Sequence, residues 1–190
     1  MSLLFPVNVE PDDVPDISGL KYHSHYITAS EELELAEMID QGSWNCTWER
    51  RRQLFGGAYG QDEGLILEIP DWGISLAKRM FKEQLTDRPF DQMLVNEYLP
   101  GQGIAMHRDH KPFDRTIVSL SLLSPCVMDF RNPDSDQRYS LLLEPRSLLV
   151  LTDDARYKWQ HGIARRKNDR WHGVTIPRER RVSITFRTYK

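Results

Sequence analysis

The sequence predicts an α+β fold, in which two N-terminal helices brace one face of a sheet structure, and three observations carry that expectation. Helical periodicity is confined to the first ninety residues. From about residue 92 it gives way to short β-like runs separated by Pro, Gly, Asp and Asn clusters, a spacing suited to a barrel or sandwich. Helix-strand-helix alternation is absent, which makes a Rossmann-type arrangement a poor reading.

The elements follow in order. Residues 1–20 hold four acids, two prolines after Pro6 and few large apolar side chains beyond the first five; they read as an extended arm. Thr28-Ala29-Ser30-Glu31 has the form of a capping box, and the helix it opens would place Leu33, Ala36 and Ile39 on one face before Gly42. A second helix is expected over 72–85, with Leu76, Met80 or Phe81, and Leu85 inward. The strands are expected at Met93–Tyr98, Ile117–Leu123, Val127–Arg131, Tyr139–Leu143, Ser147–Leu151 and Val182–Phe186. One domain spans 1–190: the arm over 1–20, a helical and lid region over 21–90 and the sheet core over 91–190.

Composition narrows the classes. A chain of 190 residues, 39% hydrophobic with five tryptophans, is one domain's worth with a real core. The net charge of −3 supplies no global pull toward nucleic acid, so such binding would use local patches. Cys46 and Cys126 alone make neither a disulfide framework nor a thiolate zinc site, and suit a reducing compartment. The N-terminus lacks a basic segment ahead of its apolar residues, and no apolar run reaches 18 residues; a cytoplasmic protein with no membrane span is expected.

Chemistry concentrates in Asn96-Glu97-Tyr98-Leu99-Pro100-Gly101-Gln102-Gly103 and the His107-Arg108-Asp109-His110 that follows. In an extended segment His107 and Asp109 share a side, so both can reach one ion. His161, 54 residues on, is a candidate third ligand. Two His and one carboxylate with open positions form the ligand set of non-haem Fe(II) oxygen chemistry. A lone His-x-Asp is also common as hydrogen-bonded surface residues. In Arg181-Val182-Ser183-Ile184-Thr185-Phe186-Arg187 the apolar residues take one face and the arginines the other, ~20 Å apart at strand rise. That polar face is either the solvated side of an edge strand or a barrel interior, where buried cations need anions such as a small dicarboxylate. Trp48 to Tyr59 mixes arginines, glycines and aromatics. Arg51, Arg52 and Gln53 with Tyr59 are candidates for phosphate contact and base stacking, against a plain turn with core aromatics. Arg165-Arg166-Lys167-Asn168-Asp169-Arg170 is expected to be a mobile basic loop.

Together, Asn96-x-Tyr98, His107-x-Asp109, His161 and Arg181-x5-Arg187 resemble, in order and spacing, the AlkB family of Fe(II)- and 2-oxoglutarate-dependent dioxygenases, over about residues 48 to 190. The resemblance implies a double-stranded β-helix (jelly roll) core with the metal at one mouth. It implies that His107, Asp109 and His161 bind iron, and that Asn96, Tyr98, Arg181 and Arg187 hold 2-oxoglutarate, with Arg187 nearer the metal end. It implies Fe(II), 2-oxoglutarate and O2 as requirements, and oxidation of a modified nucleic-acid base in single-stranded DNA or RNA, by N-demethylation or side-chain hydroxylation. Family members known for DNA repair carry an acid two positions after the metal aspartate; here that position is Lys111. The segments at 118–122, 127–130 and 146–150 look closer to the dioxygenase domain that hydroxylates a tRNA wobble uridine. A protein or small-molecule substrate, and a non-catalytic jelly-roll binding module, are the competing readings.

Overall fold

In a computed structural model, the structure describes residues 8–57 and 67–190. Among the described residues the sheets are made of twelve strands: β1 (Leu20–His23), β2 (Arg52–Phe55), β3 (Gln92–Tyr98), β4 (Ile104–His107), β5 (Ile117–Leu122), β6 (Cys126–Arg131), β7 (Arg138–Leu143), β8 (Leu148–Leu151), β9 (Gln160–Ile163), β10 (Asn168–Trp171), β11 (Val174–Pro177) and β12 (Arg181–Arg187). Six form a large sheet in the order β1-β8-β5-β12-β3-β2, four a smaller one in the order β4-β9-β6-β7, and β10-β11 is a separate hairpin. All pairings between these strands are antiparallel. The two facing sheets are the jelly roll.

Strand alternation separates two cores. On β12, Val182, Ile184 and Phe186 join Met93 and Val95 of β3 in the core beneath the helices. Between the sheets lies a second core of Leu141, Leu143, Phe130, Leu149 and Leu151. β12 is central, bonded to β3 on one side and β5 on the other, and every one of its residues is buried. The edge-strand reading of its polar face is thereby excluded.

Helix α1 (Ala29–Gln41) begins at the expected capping box: Thr28 Oγ1 accepts from Glu31 N at 3.2 Å and Glu31 accepts from Thr28 N at 2.7 Å. Its inward set is corrected. Leu33 is 69% exposed, while Leu35, Ala36 and Ile39 are buried. Glu32 holds the neighbouring inward position, accepting from Leu123 N and from Arg146. Helix α2 spans Asp71–Lys82, shorter than expected, with Leu76, Ala77 and Met80 inward; Phe81 is exposed, and Leu85 packs from the segment after the helix. A short helix, α3 (Asp153–Tyr157), joins β8 to β9.

Three boundaries also shift. The described part of the arm packs on the barrel through buried Ile17 and partly buried Val9 and Val14. β1 and β2 precede residue 91 yet complete the large sheet, so the sheet is not confined to 91–190. The expected mobile basic loop is a pinned hairpin. Asp169, wholly buried on β10, accepts from Val127 N, Arg166 and Arg178. Arg178 continues to the carbonyls of Ala164 and Gln102.

Candidate active site

The site is built around the turn between β3 and β4. Gly101 sits at φ +90°, a left-handed conformation that favours glycine. Gly103 allows close approach: a Cβ there would stand 2.2 Å from the Ile163 carbonyl oxygen. β4 therefore lies tight against β9, and the register sets His107 directly opposite His161, with ring centroids 4.5 Å apart. The His107 Nδ1 lies 2.9 Å from the Ala105 carbonyl oxygen, which assigns the proton of a neutral ring to Nδ1 and leaves Nε2 its lone pair.

β4 ends at His107, so Asp109 reaches the site from a loop rather than by strand alternation. Its Oδ2 lies 3.5 Å from His161 Nε2, and its Oδ1 lies 3.0 Å from Arg187 Nη2. Burial alone would raise the Asp109 carboxyl; Arg187 and the two imidazoles outweigh it and hold the group below the usual carboxylate range. Burial pushes His161 down to about 4, and Asp109 only partly opposes this, so the ring is neutral near pH 7 with its lone pair available. The neutral His161 imidazole, the Nε2 of His107 and an ionised carboxylate are the kind of donors that a divalent metal requires. Among the described residues no three His, Cys, Asp or Glu side chains are drawn together as a finished metal cage. These three approach pairwise, with Asp109 shared between His161 and Arg187.

Asn96, Tyr98, His107, Asp109, His161, Arg181 and Arg187 all line one cavity of about 540 Å³ between the sheets, open to solvent. About 60 Å³ of it takes the centre of a water molecule, against the ~10–15 Å³ that one ordered water needs. The space is that of a small ligand. Its inner wall is apolar, formed by Ile117, Met128, Leu149 and Leu151.

Comparison with known proteins now decides the family. The family model described as 2OG-Fe(II) oxygenase superfamily matches residues 19–187. An uncharacterized protein, L905, of Acanthamoeba polyphaga mimivirus is 36% identical over 179 residues, covering 90% of this chain and 85% of that protein. The tRNA (carboxymethyluridine(34)-5-O)-methyltransferase ALKBH8 of Macaca fascicularis is 38% identical over 80% of this chain, which spans only 25% of that longer protein. The probable RNA/DNA demethylase ALKBH6 of Danio rerio is 29% identical, over 87% of this chain and 83% of that one. The chain belongs to the AlkB family. The solved structure of OsALKBH1 shares its fold, with a TM-score of 0.71 at 17% identity over 90% of this chain and 97% of that one.

As an AlkB-family 2OG-Fe(II) oxygenase, the protein requires Fe(II), 2-oxoglutarate and O2. Its own residues fit the cosubstrate. Arg181 is 2% exposed; its Nη2 donates to Ser121 Oγ at 2.8 Å, while Nε and Nη1 have no hydrogen-bond partner among the described residues. A buried guanidinium with two nitrogens whose N–H groups are unused, beside a cavity, is matched by a carboxylate. Arg187, six residues along the same strand, pairs with Asp109 at the other end. An Arg181→Gln protein is expected to need about 100-fold more 2-oxoglutarate for half-maximal succinate formation, matching the ~2–3 kcal/mol lost with one partner of a buried charged pair. An unchanged requirement would place the dicarboxylate grip elsewhere.

The substrate candidates separate. Gln53 is 2% exposed and donates to the Ile39 carbonyl at 2.8 Å, so it ties β2 to α1. Arg51 lies over Trp44 and pairs with Glu97, which also binds Arg180. Burial and the bond to Ile39 correct the expected role of Gln53; Arg51 keeps a partly exposed guanidinium held by Glu97. Arg52 pairs in register with Asn96 and shares its face, with its guanidinium 4.6 Å from the ring of Trp48, which is 56% exposed. Tyr59 lies outside the described residues. The sequence reading missed Arg50, which donates to the Gly103 carbonyl and lies over the Tyr98 ring at 5.2 Å. It also missed Ser121 and Arg156, whose partners are polar atoms far away in the chain and leave no local pattern.

Proposed function

We propose that His107, Asp109 and His161 hold the iron and that Asn96, Tyr98, Arg181 and Arg187 hold 2-oxoglutarate. We further propose that the enzyme oxidises a substituent on an RNA base, with a tRNA nucleoside the favoured substrate. The observation that carries the substrate class is the Arg52–Trp48 pair: an exposed indole with a guanidinium stacked on it, on the face of β2 that Asn96 shares. An exposed ring stacks on an unpaired base at ~1–3 kcal/mol, and a neighbouring cation meets the phosphate. The ALKBH8 relatives support tRNA, since their printed name concerns a carboxymethyluridine. Exposed Lys111 supports it too, because a cation beside the metal loop disfavours a positively charged methylated base.

Bound at the triad, the iron with 2-oxoglutarate and O2 supplies the oxidant for a C–H bond, 2-oxoglutarate leaving as succinate and CO2. The chain's part is geometric and electrostatic. His107 Nε2 and His161 present ring nitrogens, Arg187 keeps Asp109 ionised, Arg181 fixes the far end of the dicarboxylate, and Ile117, Met128 and Leu151 supply the apolar part of the wall.

The test is incubation with Fe(II), ascorbate, 2-oxoglutarate and air, offering total tRNA and methylated oligonucleotides together, followed by mass spectrometry of nucleosides. Gain of one oxygen on a tRNA nucleoside supports the proposal. Loss of a methyl group shifts the reaction to demethylation. Succinate formed with no nucleoside changed overturns the nucleic-acid reading in favour of a protein or small molecule. Trp48→Ala should then raise the half-saturating concentration of the active oligonucleotide by about 5- to 150-fold, equivalent to ~1–3 kcal/mol of stacking, with the melting temperature nearly unchanged. An unaltered half-saturation would remove Trp48 from the substrate surface.

A further inference from the structure

We propose that Arg156 is the positioning residue of the metal site: its guanidinium organises the loop that carries Asp109 before any metal arrives. The inference rests on the reading of Asp109 as a metal ligand. Arg156 lies on α3 and is 3% exposed. Its Nη1 donates to the Asp109 carbonyl oxygen at 2.9 Å, and its Nη2 to those of His110 at 2.9 Å and Phe113 at 3.1 Å. Its Nε reaches that of Asp114 at 3.3 Å. All four acceptors are main-chain oxygens of a single loop.

Chemistry explains why arginine stands there. A loop folded inward leaves carbonyls that must find donors, and each buried carbonyl without one costs free energy comparable to a lost hydrogen bond. The guanidinium offers five N–H groups spread across a rigid plane; a lysine offers three from one point. The same loop is held on its other side by Arg187, which binds the Asp109 carboxylate and lies 4.7 Å from the ring of fully buried Phe113. Arg156 thus fixes the backbone and Arg187 the carboxylate. Because α3 runs into β9, Arg156 also ties the Asp109 loop to the segment that presents His161. A metal meeting a loop already in place has no ordering cost to meet, which is how groups behind the ligands raise metal affinity.

The test is metal affinity, read without turnover. Metal-free protein is titrated with Mn(II) anaerobically and free Mn(II) is followed by electron paramagnetic resonance, for the parent, Arg156→Lys, Arg156→Gln, Asp109→Ala and Glu32→Gln. Glu32 lies on the inward face of α1, bonded to Leu123 and Arg146 and outside the cavity lining, so Glu32→Gln reports the effect of lost stability alone. The Arg156 variants should bind Mn(II) about 10- to 100-fold more weakly, and Glu32→Gln should bind as the parent does. Parent-like affinity in Arg156→Lys and Arg156→Gln overturns the proposal. Parent-like affinity in Asp109→Ala instead overturns the ligand reading beneath it. If the Arg156 variants do not fold, amide exchange of the metal-free parent decides. Phe113 N and Asp114 N, bonded to His110 O and Thr188 O, should already be protected. Exchange there at free-chain rates, with protection only after Mn(II), would show that the metal and not Arg156 orders the loop.

Discussion

His161→Ala and Asp109→Ala are expected to lose the same activity and to differ in stability. Each removes one of three donors, so succinate formation should fall by more than the ~10–100-fold that changes behind the ligands cost. The His161 ring is neutral near pH 7, and removing it takes away contacts with His107 and Phe130 at the cavity wall; a cost of about 1 kcal/mol is ordinary for such a change. Asp109 is different. Its carboxylate faces Arg187 at 3.0 Å with side chains 5% and 9% exposed, and removing one partner of a buried ion pair costs ~3–5 kcal/mol. At this chain length that is a fall of roughly 6–20 °C in melting temperature, against a few degrees for His161→Ala. The measurements are 2-oxoglutarate-dependent succinate formation and thermal melting of the metal-free proteins. Turnover by either variant at the parent rate would remove that residue from the ligand set, and equal melting temperatures would remove the Arg187 pair as a source of stability.

What was legible beforehand depended on how strongly each segment declared itself. β5, β8 and β12 are dominated by Val, Ile and Leu or alternate cleanly, so their existence followed from pattern alone. β1, β4 and β10 read Leu-Lys-Tyr-His, Ile-Ala-Met-His and Asn-Asp-Arg-Trp, four residues with no period. They are strands because neighbours supply their hydrogen bonds, which is tertiary context overriding propensity. Leu33 misled for a related reason: the inward position beside Leu35 belongs to Glu32, whose partners Leu123 and Arg146 are about a hundred residues away. In the site, the seven residues that the AlkB resemblance assigns to metal and cosubstrate line one cavity, because motifs distant in the chain carry the family pattern in recognisable order. Arg156 left no such trace, since main-chain carbonyls have no sequence signature.

Asp169→Asn should be among the most destabilising single changes in the protein, although Asp169 lies outside the cavity. Its carboxylate is wholly buried and accepts from Val127 N at 3.1 Å, Arg166 Nε at 2.6 Å, and Arg178 Nε and Nη2 at 2.6 and 2.8 Å. Asparagine keeps the shape but turns an NH2 group toward arginine donors and leaves Arg178, whose side chain is 5% exposed, without its counter-charge. Breaking such a buried pair costs ~3–5 kcal/mol, a large share of the ~5–15 kcal/mol that holds a domain folded. Burial opposes ionisation of Asp169, yet the Arg178 and Val127 hydrogen bonds outweigh it and hold the carboxyl below the ordinary range. With the folded pKa depressed, the stabilisation is complete above the unfolded value near ~4 and is lost as pH falls through the folded one. The difference in melting temperature between the parent and Asp169→Asn should therefore be constant from pH 8 to pH 5 and narrow in more acid solution. A difference that stays undiminished in acid would mean that shape, not charge, supplies the stabilisation. A variant melting within two degrees of the parent would mean that the hairpin's ion pairs only offset the cost of burying them.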